Sequence, residues 1–369
     1  MAESVSQPQL HERPVLALTM GDPAGVGPEI IVDAWRFFFQ LDQPLASGAA
    51  PLPASRPIVF GDPETIRRAV DIYGYDAQVV ALESLEQALD AYDRLGNANT
   101  IPVLPCCARS VSRVQIGEIS AEGGDAAFRS LNCAIDATLS GRVQAIVTLP
   151  LHKESLNLAG HHYPGHTEIL AERCNVRNFS MALYLGACSG LASSTGLGVA
   201  HVTLHMAMSQ ALSCVTYQSV LEKIRLLRRF MTIILSREPR LGVCALNCHA
   251  GDGGLFGREE LDVIRPATLA AQAEGADVAG PFPSDTLFLD AKNGLYDGIV
   301  AMYHDQGHIA IKMIDMFAAV NVALGLPIIR TSVAHGTAFN IAGQGVAKTT
   351  SLIEAVRVAT LFALNRQTP

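Results

Sequence analysis

Charged residues, aromatic side chains and long hydrophobic runs are all scarce in this sequence. Charged residues make up 17% of the 369 residues, aromatic residues make up 6%, and the net charge at pH 7 is −8. A nucleic-acid-binding protein needs Lys and Arg clustered against phosphates, so this acidic balance argues against that class. No apolar run approaches the ~18–20 residues that cross a bilayer, so no membrane association is expected. The 49% of hydrophobic residues instead predict a globular protein, and the length predicts about two domains.

The eight cysteines do not follow the spacing of a metal or disulfide motif. A chain of this length does not need disulfides to hold a core, so reduced thiols and a cytoplasmic location are expected. The first residues, MAESVSQPQLHE, lack the basic start and the apolar stretch of a secretion signal. Residues 1–13 are therefore predicted to be a flexible tail.

Short apolar runs alternate with segments of helical periodicity. The runs are Val15–Met20, Ile58–Phe60, Val143–Thr148 and Leu241–Asn247, and helical segments include Leu82–Tyr92 and Ala126–Leu139. This alternation predicts an α/β fold with mainly parallel sheets. Ligands bind such sheets at the carboxyl ends of the strands, so the loops after these runs are predicted to carry the chemistry.

Three segments are rich in residues that form turns. Gln43–Pro57 and Ala187–Gly198 contain many Pro, Gly, Ser and Ala residues and are predicted to be surface loops. Gly21–Gly27, GDPAGVG, follows a predicted strand and is expected to open a helix. The backbone N–H groups of such a turn could bind an anion, or the turn could simply let the strand pass tightly into the helix. It matches neither the dinucleotide-binding fingerprint nor the P-loop.

Four of the eleven histidines lie after apolar runs or glycine turns. They are His166 in PGHTE, His205 in HVTLHM, His249 in LNCHAGDGG and His304 in YHDQGH. Histidine is the commonest metal ligand, and three imidazoles with an open coordination position are typical of a catalytic metal site. Their separations match no local motif, so only the fold could bring them together. The pair His201 and His205 is discounted as a helical pair because the segment alternates like a strand.

Lys312, Asn321 and Arg330 interrupt an otherwise apolar stretch. Arg binds carboxylate or phosphate in a bidentate manner, and Lys supplies a compact positive charge. Each could be a solvated surface residue, but the apolar setting favours burial, and a buried cation needs an anion.

Taken together, the motifs resemble the 4-hydroxythreonine-4-phosphate dehydrogenase (PdxA) family. The resemblance runs from about Val15 to Ala363 and rests on MGDPAGVGPE, SAEGGDAA, GHTEILAE, VTLH, LNCHAGDGG, GPFPSDTLF, YDGIVAMYHDQGH and VNVALGLPIIRTSVAHGTAFNIAG. It implies two α/β/α domains similar to those of isocitrate and isopropylmalate dehydrogenases. Residues 14–155 with 326–369 would form the first domain and residues 156–325 the second. It also implies a homodimer whose active site lies in the interdomain cleft at the subunit interface.

The resemblance further implies the ligands and the site residues. The oxidant would be NAD or NADP, with one divalent metal, Zn, Co, Mn or Mg, and the substrate would be oxidised and decarboxylated. The metal ligands would be His205, His249 and His304. The substrate-binding residues would be His166, Thr167, Lys312, Asn321 and Arg330. No acid or base is assigned; Asp252, Asp285 and Asp305 are candidates, and each could instead orient a ligand histidine.

Several positions depart from the usual family pattern. Ala334 stands where the family has Asp, His152 where it has Asn, and His308 is typical of the branch resembling D-threonate and D-erythronate 4-phosphate dehydrogenases. The expected substrate is therefore 4-phosphohydroxy-L-threonine or D-threonate or D-erythronate 4-phosphate. The alternatives are a dehydrogenase of a cis-dihydrodiol dicarboxylate of the terephthalate type and a non-catalytic metal- or anion-binding protein.

Overall fold

The computed structural model describes residues 13–40, 52–188 and 190–367, and these form two compact units. The first unit contains residues 13–40, 52–177 and 326–367, and the second contains the described part of residues 178–325. The units therefore divide after Arg177 and Gly325, whereas the sequence prediction set the domain boundaries after residues 155 and 325. Residues 1–12 of the predicted tail and residues 43–51 of the first predicted loop lie outside the described residues.

The first unit is an α/β unit in which six strands alternate with helices. Its strands are β1 Val15–Thr19, β2 Arg56–Gly61, β3 Gln78–Ala81, β4 Thr100–Pro105, β5 Ala145–Thr148 and, as the last strand of the chain, β12 Ile329–Val333. Its helices are α1 Gly27–Trp35, α2 Pro63–Tyr73, α3 Leu85–Asp90, α4 Tyr92–Leu95, α5 Ala121–Leu139, α6 Lys153–Leu158, α7 His166–Arg173 and α13 Thr350–Gln367, with a 3-10 turn at Arg36–Phe39.

All strand pairs of the first unit are parallel, in the order β3-β4-β2-β1-β5-β12. Their carboxyl ends therefore meet at one edge, where Thr19, Thr148 and Val333 end β1, β5 and β12. The core below this edge is apolar and includes Ile58, Phe60, Leu131, Ile146 and Leu170. This arrangement explains why polar residues that follow separate apolar runs lie close together.

The turn Gly21–Gly27 connects β1 to α1 as predicted. Gly21 has a φ of +75°, and a Cβ at this position would lie 2.5 Å from the carbonyl oxygen of Pro150. The backbone amide of Ala24 donates to Asp22 Oδ1 at 3.0 Å, which closes the turn locally. The glycine is required because no L side chain fits this conformation and this close approach.

The first predicted surface loop is corrected by the structure. In its described part, Leu52, Ala54 and Ser55 are buried and β2 begins at Arg56. The Pro and Ser content indicated exposure, but the segment leads directly into an internal strand. The second predicted loop ends at Gly196, because β7 begins at Leu197.

The second unit also combines a mainly parallel sheet with helices. Its strands are β6 Ser180–Leu185, β7 Leu197–His201, β8 Leu241–Cys244, β9 Val278–Phe282, β10 Gly298–Ala301 and β11 Ala319–Leu324. Its helices are α8 Met208–Cys214, α9 Tyr217–Leu235, α10 Arg265–Ala273, α11 Ser284–Lys292 and α12 His304–Asp315, with a 3-10 segment at Cys248–Gly254 and a π-helical turn at Glu260–Ile264. Strands β7, β10, β8 and β9 pair in parallel, and β6 pairs antiparallel with both β7 and β11.

The predicted α/β class with mainly parallel sheets is confirmed. Each of the four apolar runs overlaps a strand, β1, β2, β5 or β8, and the two helical segments overlap α3 and α5. Within the described ranges, no helix has the length and apolar character needed to cross a membrane.

Candidate functional site: a buried guanidinium and a histidine-lined cavity

Arg330 is a buried cation in the first unit. It lies on β12 with 4% of its surface exposed. Its Nε and Nη2 both donate to the hydroxyl oxygen of Thr148, at 3.0 and 2.7 Å. Among the described residues, no carboxylate lies within 4.0 Å of it to form an ion pair. Burial lowers the pKa of Arg330 to about 10, and the charge of Glu168 opposes this shift, so the guanidinium is charged at neutral pH.

The register of the sheet explains this contact. Arg330 pairs with Ile146 across β12 and β5, so Thr148 lies two residues farther along the neighbouring strand. Side chains two residues apart on neighbouring strands point to the same face of a sheet. Thr148 thus orients Arg330 but supplies no negative charge. A buried guanidinium held in this way can bind an anionic ligand.

His166 lies near Arg330 and is held in one neutral tautomer. It is the first residue of α7, and its Nε2 lies 3.1 Å from the carbonyl oxygen of Leu149. A carbonyl only accepts, so Nε2 carries the hydrogen and Nδ1 keeps its lone pair. Burial and the positive charge of Arg330 lower the pKa of His166 to about 3. At neutral pH this side chain can therefore accept a hydrogen bond from a hydroxyl group. Thr167 follows it in the first turn of α7.

His166 should make the fold more sensitive to acid. Because its folded-state pKa lies below the usual value of about 6.5, the unfolded chain takes up more protons as the pH falls between 6.5 and 3. The free energy of unfolding is then lost over that window by at most about 1.4 kcal/mol per pH unit. We expect the wild type to lose about 1 kcal/mol more than His166→Gln between pH 7.5 and 5.5 in urea unfolding. Equal losses in the wild type and in His166→Gln would contradict the lowered pKa of His166.

The second unit contains a cavity of about 350 Å³ at the carboxyl ends of β7 and β10. It is lined by Thr203, Leu204, His205, Met206, Met208, Ala211, Tyr303, His304 and Asp305. The His205 and His304 rings lie 5.6 Å apart between their centroids. Two of the three predicted metal ligands are thus close together on the wall of one cavity.

Asp305 fixes the orientation of His304. Nδ1 of His304 lies 2.6 Å from Asp305 Oδ1. An ionised carboxylate only accepts, so Nδ1 carries the hydrogen and Nε2 keeps its lone pair. A carboxylate that orients an imidazole in this way is common beside metal-binding histidines. All three aspartates considered from sequence are exposed, and of them Asp305 contacts a predicted ligand.

His249, the third predicted metal ligand, is not grouped with these two histidines in the described residues. It follows β8 in the segment Cys248–Gly254, with a left-handed φ of +51°. In the part of the chain that the structure describes, no three or more His, Cys, Asp or Glu side chains are grouped so that they could hold a metal ion. Among the described residues, His205 and His304 lie close together, and His249 is not grouped with them.

Glu260 holds the backbone that leads to His249, and sequence reasoning missed it. Glu260 is 1% exposed. Oε1 accepts hydrogen bonds from the backbone amides of Leu246 and Asn247, both at 2.8 Å. Oε2 accepts one from Asn247 Nδ2 at 2.9 Å. Burial alone would raise the pKa of Glu260, but these hydrogen bonds outweigh it and lower the pKa.

Glu260→Gln should therefore destabilise the protein. The amide replaces an acceptor oxygen by a donor that faces Asn247 Nδ2, so we expect a loss of about 1–3 kcal/mol in the free energy of unfolding. Glu259→Gln is the matched control, because Glu259 accepts one bond from the same Asn247 Nδ2 and is less buried. Chemical unfolding measures the free energy of unfolding of both variants and of the wild type. Equal small losses would contradict the role assigned to Glu260.

Two further histidines lie behind the cavity. His201, at the end of β7, is completely buried, and its Nε2 lies 3.1 Å from His308 Nδ1. The His308 ring stacks on His304 at 3.7 Å between centroids. Burial, followed by the neighbouring positive charges, lowers the pKa of His201 to about 3 and of His308 to about 4. The spacing of four residues between His304 and His308 on α12 could have revealed this stacked pair from sequence.

Lys312 and Asn321 are both in the second unit. Lys312 lies two turns after His304 on α12 and is half-buried. Asn321 is half-buried on β11 and pairs with Leu183 of β6. The five predicted substrate-binding residues are therefore divided between the units, with His166, Thr167 and Arg330 in the first.

The fold and these side chains define an α/β protein with a buried guanidinium in one unit and a histidine-lined cavity at the strand ends of the other. Residues 53–359 match the family model described as Pyridoxal phosphate biosynthetic protein PdxA. The chain belongs to this family.

Proteins with assigned activities resemble it over nearly their whole length. It is 42% identical over 357 residues to a 4-hydroxythreonine-4-phosphate dehydrogenase of Trichlorobacter lovleyi, covering 96% of this chain and 99% of that protein. It is 40% identical over 352 residues to a D-threonate 4-phosphate dehydrogenase of Salmonella typhimurium, covering 95% and 100%. A crystal structure of 4-hydroxythreonine-4-phosphate dehydrogenase from Klebsiella pneumoniae superposes with a TM-score of 0.76 at 37% identity, covering 95% and 99%. The chain is thus a member of a family of dehydrogenases, which are oxidoreductases.

Proposed function

We propose that this protein is an NAD- or NADP-dependent dehydrogenase that oxidises and decarboxylates a 4-phosphorylated hydroxy acid. The observation that carries this proposal is Arg330, a buried and charged guanidinium that is oriented by Thr148 and forms no ion pair within 4.0 Å among the described residues. A cation left in this state needs an anionic partner, and a phosphate group matches its donor geometry. The relatives named above act on phosphorylated substrates according to their names.

Arg330 is proposed to bind the phosphate group of the substrate. Its Nε and Nη2 are directed to Thr148, so the remaining guanidinium hydrogens are available for a ligand. Thr148 fixes the plane of the guanidinium before the substrate arrives, which reduces the entropy lost on binding. Thr167 is proposed to contact the same substrate.

His166 is proposed to orient a substrate hydroxyl. Its Nε2 hydrogen is committed to Leu149, so the Nδ1 lone pair is the free acceptor. Since burial and Arg330 keep this imidazole neutral, it can hold a hydroxyl proton in a hydrogen bond without being protonated at physiological pH. We assign it a binding role and do not assign a general acid or base.

A divalent metal, Zn, Co, Mn or Mg, is proposed to bind His205 and His304, with His249 as a third ligand. Two observations support this proposal. His205 and His304 lie on the wall of one cavity, and the contact of His304 Nδ1 with Asp305 leaves the lone pair of His304 Nε2 for a metal ion. Because His249 is not grouped with the other two, no step is assigned to the metal. When bound, such a metal would polarise a substrate hydroxyl as a Lewis acid.

The same proposal covers the remaining predicted residues, the location and the oligomeric state. Lys312 and Asn321 are proposed to bind substrate, and the enzyme is proposed to be a cytoplasmic homodimer.

The proposal also ranks the substrates. D-threonate or D-erythronate 4-phosphate is the preferred substrate because His308 is typical of that branch, and 4-phosphohydroxy-L-threonine is the next choice.

The test is an assay of NAD and NADP reduction with each added metal. The substrates are 4-phosphohydroxy-L-threonine, D-threonate 4-phosphate, D-erythronate 4-phosphate and a cis-dihydrodiol dicarboxylate, with carbon dioxide release measured in parallel. We expect turnover only with phosphorylated acids. Turnover only with the dihydrodiol would replace the proposal by the aromatic alternative, and no turnover with any of them would favour a binding protein.

A further inference from the structure

Asp22 is a buried carboxylate with one oxygen that lacks a hydrogen-bond donor. The residue lies in the turn Gly21–Gly27 and is 1% exposed. Its Oδ1 accepts a hydrogen bond from the backbone amide of Ala24 at 3.0 Å. Its Oδ2 is buried and has no hydrogen-bond partner among the described residues. A buried carboxylate oxygen without a donor is costly, so this oxygen indicates a partner that the chain itself does not supply.

A second turn with the same sequence shows how a purely structural carboxylate is satisfied in this fold. The sequence GDP occurs at residues 21–23 and again at residues 61–63, each time where a strand gives way to a helix. Oδ2 of Asp62 accepts hydrogen bonds from the amide and the hydroxyl of Thr65, the hydroxyl of Ser110 and the amide of Val111. These four donors let Asp62 cap α2. The empty Oδ2 of Asp22 is therefore not a general property of this turn.

Asp22 is attached to the strand end that holds the proposed substrate-binding residues of the first unit. Its backbone amide donates to the carbonyl oxygen of Pro150 at 2.9 Å. The two residues immediately before Pro150 are those that contact Arg330 and His166. Three successive residues at the end of β5 thus position Asp22, His166 and Arg330.

The first turn of α5 lies against the carboxyl group of Asp22. A Cβ at Gly123 would lie 2.8 Å from Asp22 Oδ1 and 3.1 Å from the hydroxyl oxygen of Ser120, the residue that caps this helix. The start of a helix carries a partial positive charge, and α5 has 19 residues. This charge disfavours a cation beside Asp22, and the carboxylate itself repels an anion. The partner that fits Oδ2 is therefore an uncharged donor, an O–H or an amide N–H group.

We propose that Asp22 is a further ligand-binding residue of the first unit, whose Oδ2 accepts a hydrogen bond from a hydroxyl or carboxamide group. This assignment rests on the proposed function, in which two ligands carry such groups. The hydroxy acid has hydroxyl groups, and the nicotinamide cofactor has ribose hydroxyls and a carboxamide. A carboxylate that accepts a ribose hydroxyl is a common feature of dinucleotide sites.

The electrostatics of Asp22 agree with an uncharged partner. Burial raises the pKa of Asp22, although the Ala24 amide, the neighbouring Ser155 hydroxyl and the charge of His152 oppose this shift. The carboxylate is thus less stable in the free protein than in water. A hydroxyl or amide donor would remove part of that cost on binding.

The experiment compares Asp22→Asn with Asp62→Asn, the matched control in the second GDP turn. Asn has nearly the shape of Asp, but its amide nitrogen is a donor and cannot replace the second acceptor oxygen. Dissociation constants of the full chain are measured by calorimetry for D-threonate 4-phosphate, NAD and NADP, each added alone. We expect Asp22→Asn to weaken binding of the acid or of the dinucleotides by about 10- to 150-fold. Asp62→Asn should leave these constants unchanged.

Thermal unfolding of the same proteins separates ligand binding from structure. Asp22→Asn should keep or raise Tm, because it removes a buried charge without a full set of donors. Asp62→Asn should lower Tm, because four donors lose their acceptor.

Ligand analogues identify the group that Asp22 binds. The compound 4-phosphooxybutanoate lacks the hydroxyl groups of the acid, and the 3-acetylpyridine analogue of NAD lacks the carboxamide N–H. An analogue that lacks the bound group should bind the wild type and Asp22→Asn with equal affinity. Equal weakening of NAD and its acetylpyridine analogue would assign the bond to a ribose hydroxyl.

Two results would overturn the proposal. Unchanged or tighter binding of all three ligands by Asp22→Asn would leave water as the partner of Oδ2. A fall in Tm as large as that of Asp62→Asn, with unchanged binding, would make Asp22 structural. In both cases a wild type that binds and oxidises the phosphorylated acid keeps the proposed function, whereas a wild type that binds none of the three ligands overturns both proposals.

Discussion

Arg330→Met should lower kcat/KM for the phosphorylated substrate by about 30- to 4,000-fold. This range corresponds to the ~2–5 kcal/mol that buried, hydrogen-bonded charge pairs cost when one partner is removed. The loss should appear mainly in KM, since the proposed contact is made with a part of the substrate that does not react. Met has nearly the volume of the aliphatic part of Arg, so the core around β12 stays filled.

The same variant should not destabilise the free protein. Burial already opposes the charge of Arg330, and its described hydrogen bonds are to one neutral hydroxyl. Replacing a buried cation without an ion-pair partner by an apolar side chain is expected to leave the free energy of unfolding unchanged or raised. Arg109→Met, at an exposed guanidinium, is the control and should change neither the free energy of unfolding nor KM. A marked loss of stability with an unchanged KM would mean that Arg330 is structural.

His304→Ala should abolish metal-dependent turnover, with a loss of at least about 1,000-fold in kcat. The imidazole is one of the two proposed ligands that share a cavity wall, and a bound metal would supply several kcal/mol as a Lewis acid. Asp305→Asn should have a smaller effect of about 10- to 100-fold, because the residue orients His304 without binding the metal itself.

Metal content measured on the same preparations separates binding from catalysis. We expect one divalent ion per chain in the wild type and a loss of that ion in His304→Ala and His205→Ala. His162→Ala, at an exposed histidine in the first unit, is the control and should retain both metal and activity. His249→Ala tests the third ligand. Full metal content in all of these variants would contradict the metal proposal.

The fold was largely predictable because its signals are local. Short apolar runs bounded by turns predicted β1, β2, β5 and β8, and helical periodicity predicted α3 and α5. The segment Gln43–Pro57 shows the limit of this reasoning. Its Pro and Ser content is typical of a surface loop, but burial of Leu52 and Ala54 depends on what packs against them, which composition does not encode.

The site was predictable in its residue types but not in its contacts. Chemistry and resemblance selected Arg330, but its partner Thr148 depends on the register between β5 and β12, which neither strand specifies alone. Glu260 was missed for a similar reason: it lies 13 residues after Asn247 and meets it only through the fold. His201 and His205 were correctly not paired as a helix, since β7 ends at His201, but this left the contact of His201 with His308 unseen.

The most direct measurement combines a change in the enzyme with a change in the substrate. Initial rates of nicotinamide reduction are measured for the wild type and for Arg330→Met, each with D-threonate 4-phosphate and with unphosphorylated D-threonate. If Arg330 binds the phosphate, the variant loses activity only with the phosphorylated acid, and the two changes are strongly non-additive. If the variant loses the same factor of kcat/KM with both acids, Arg330 does not bind the phosphate, and the proposed basis of substrate recognition is wrong.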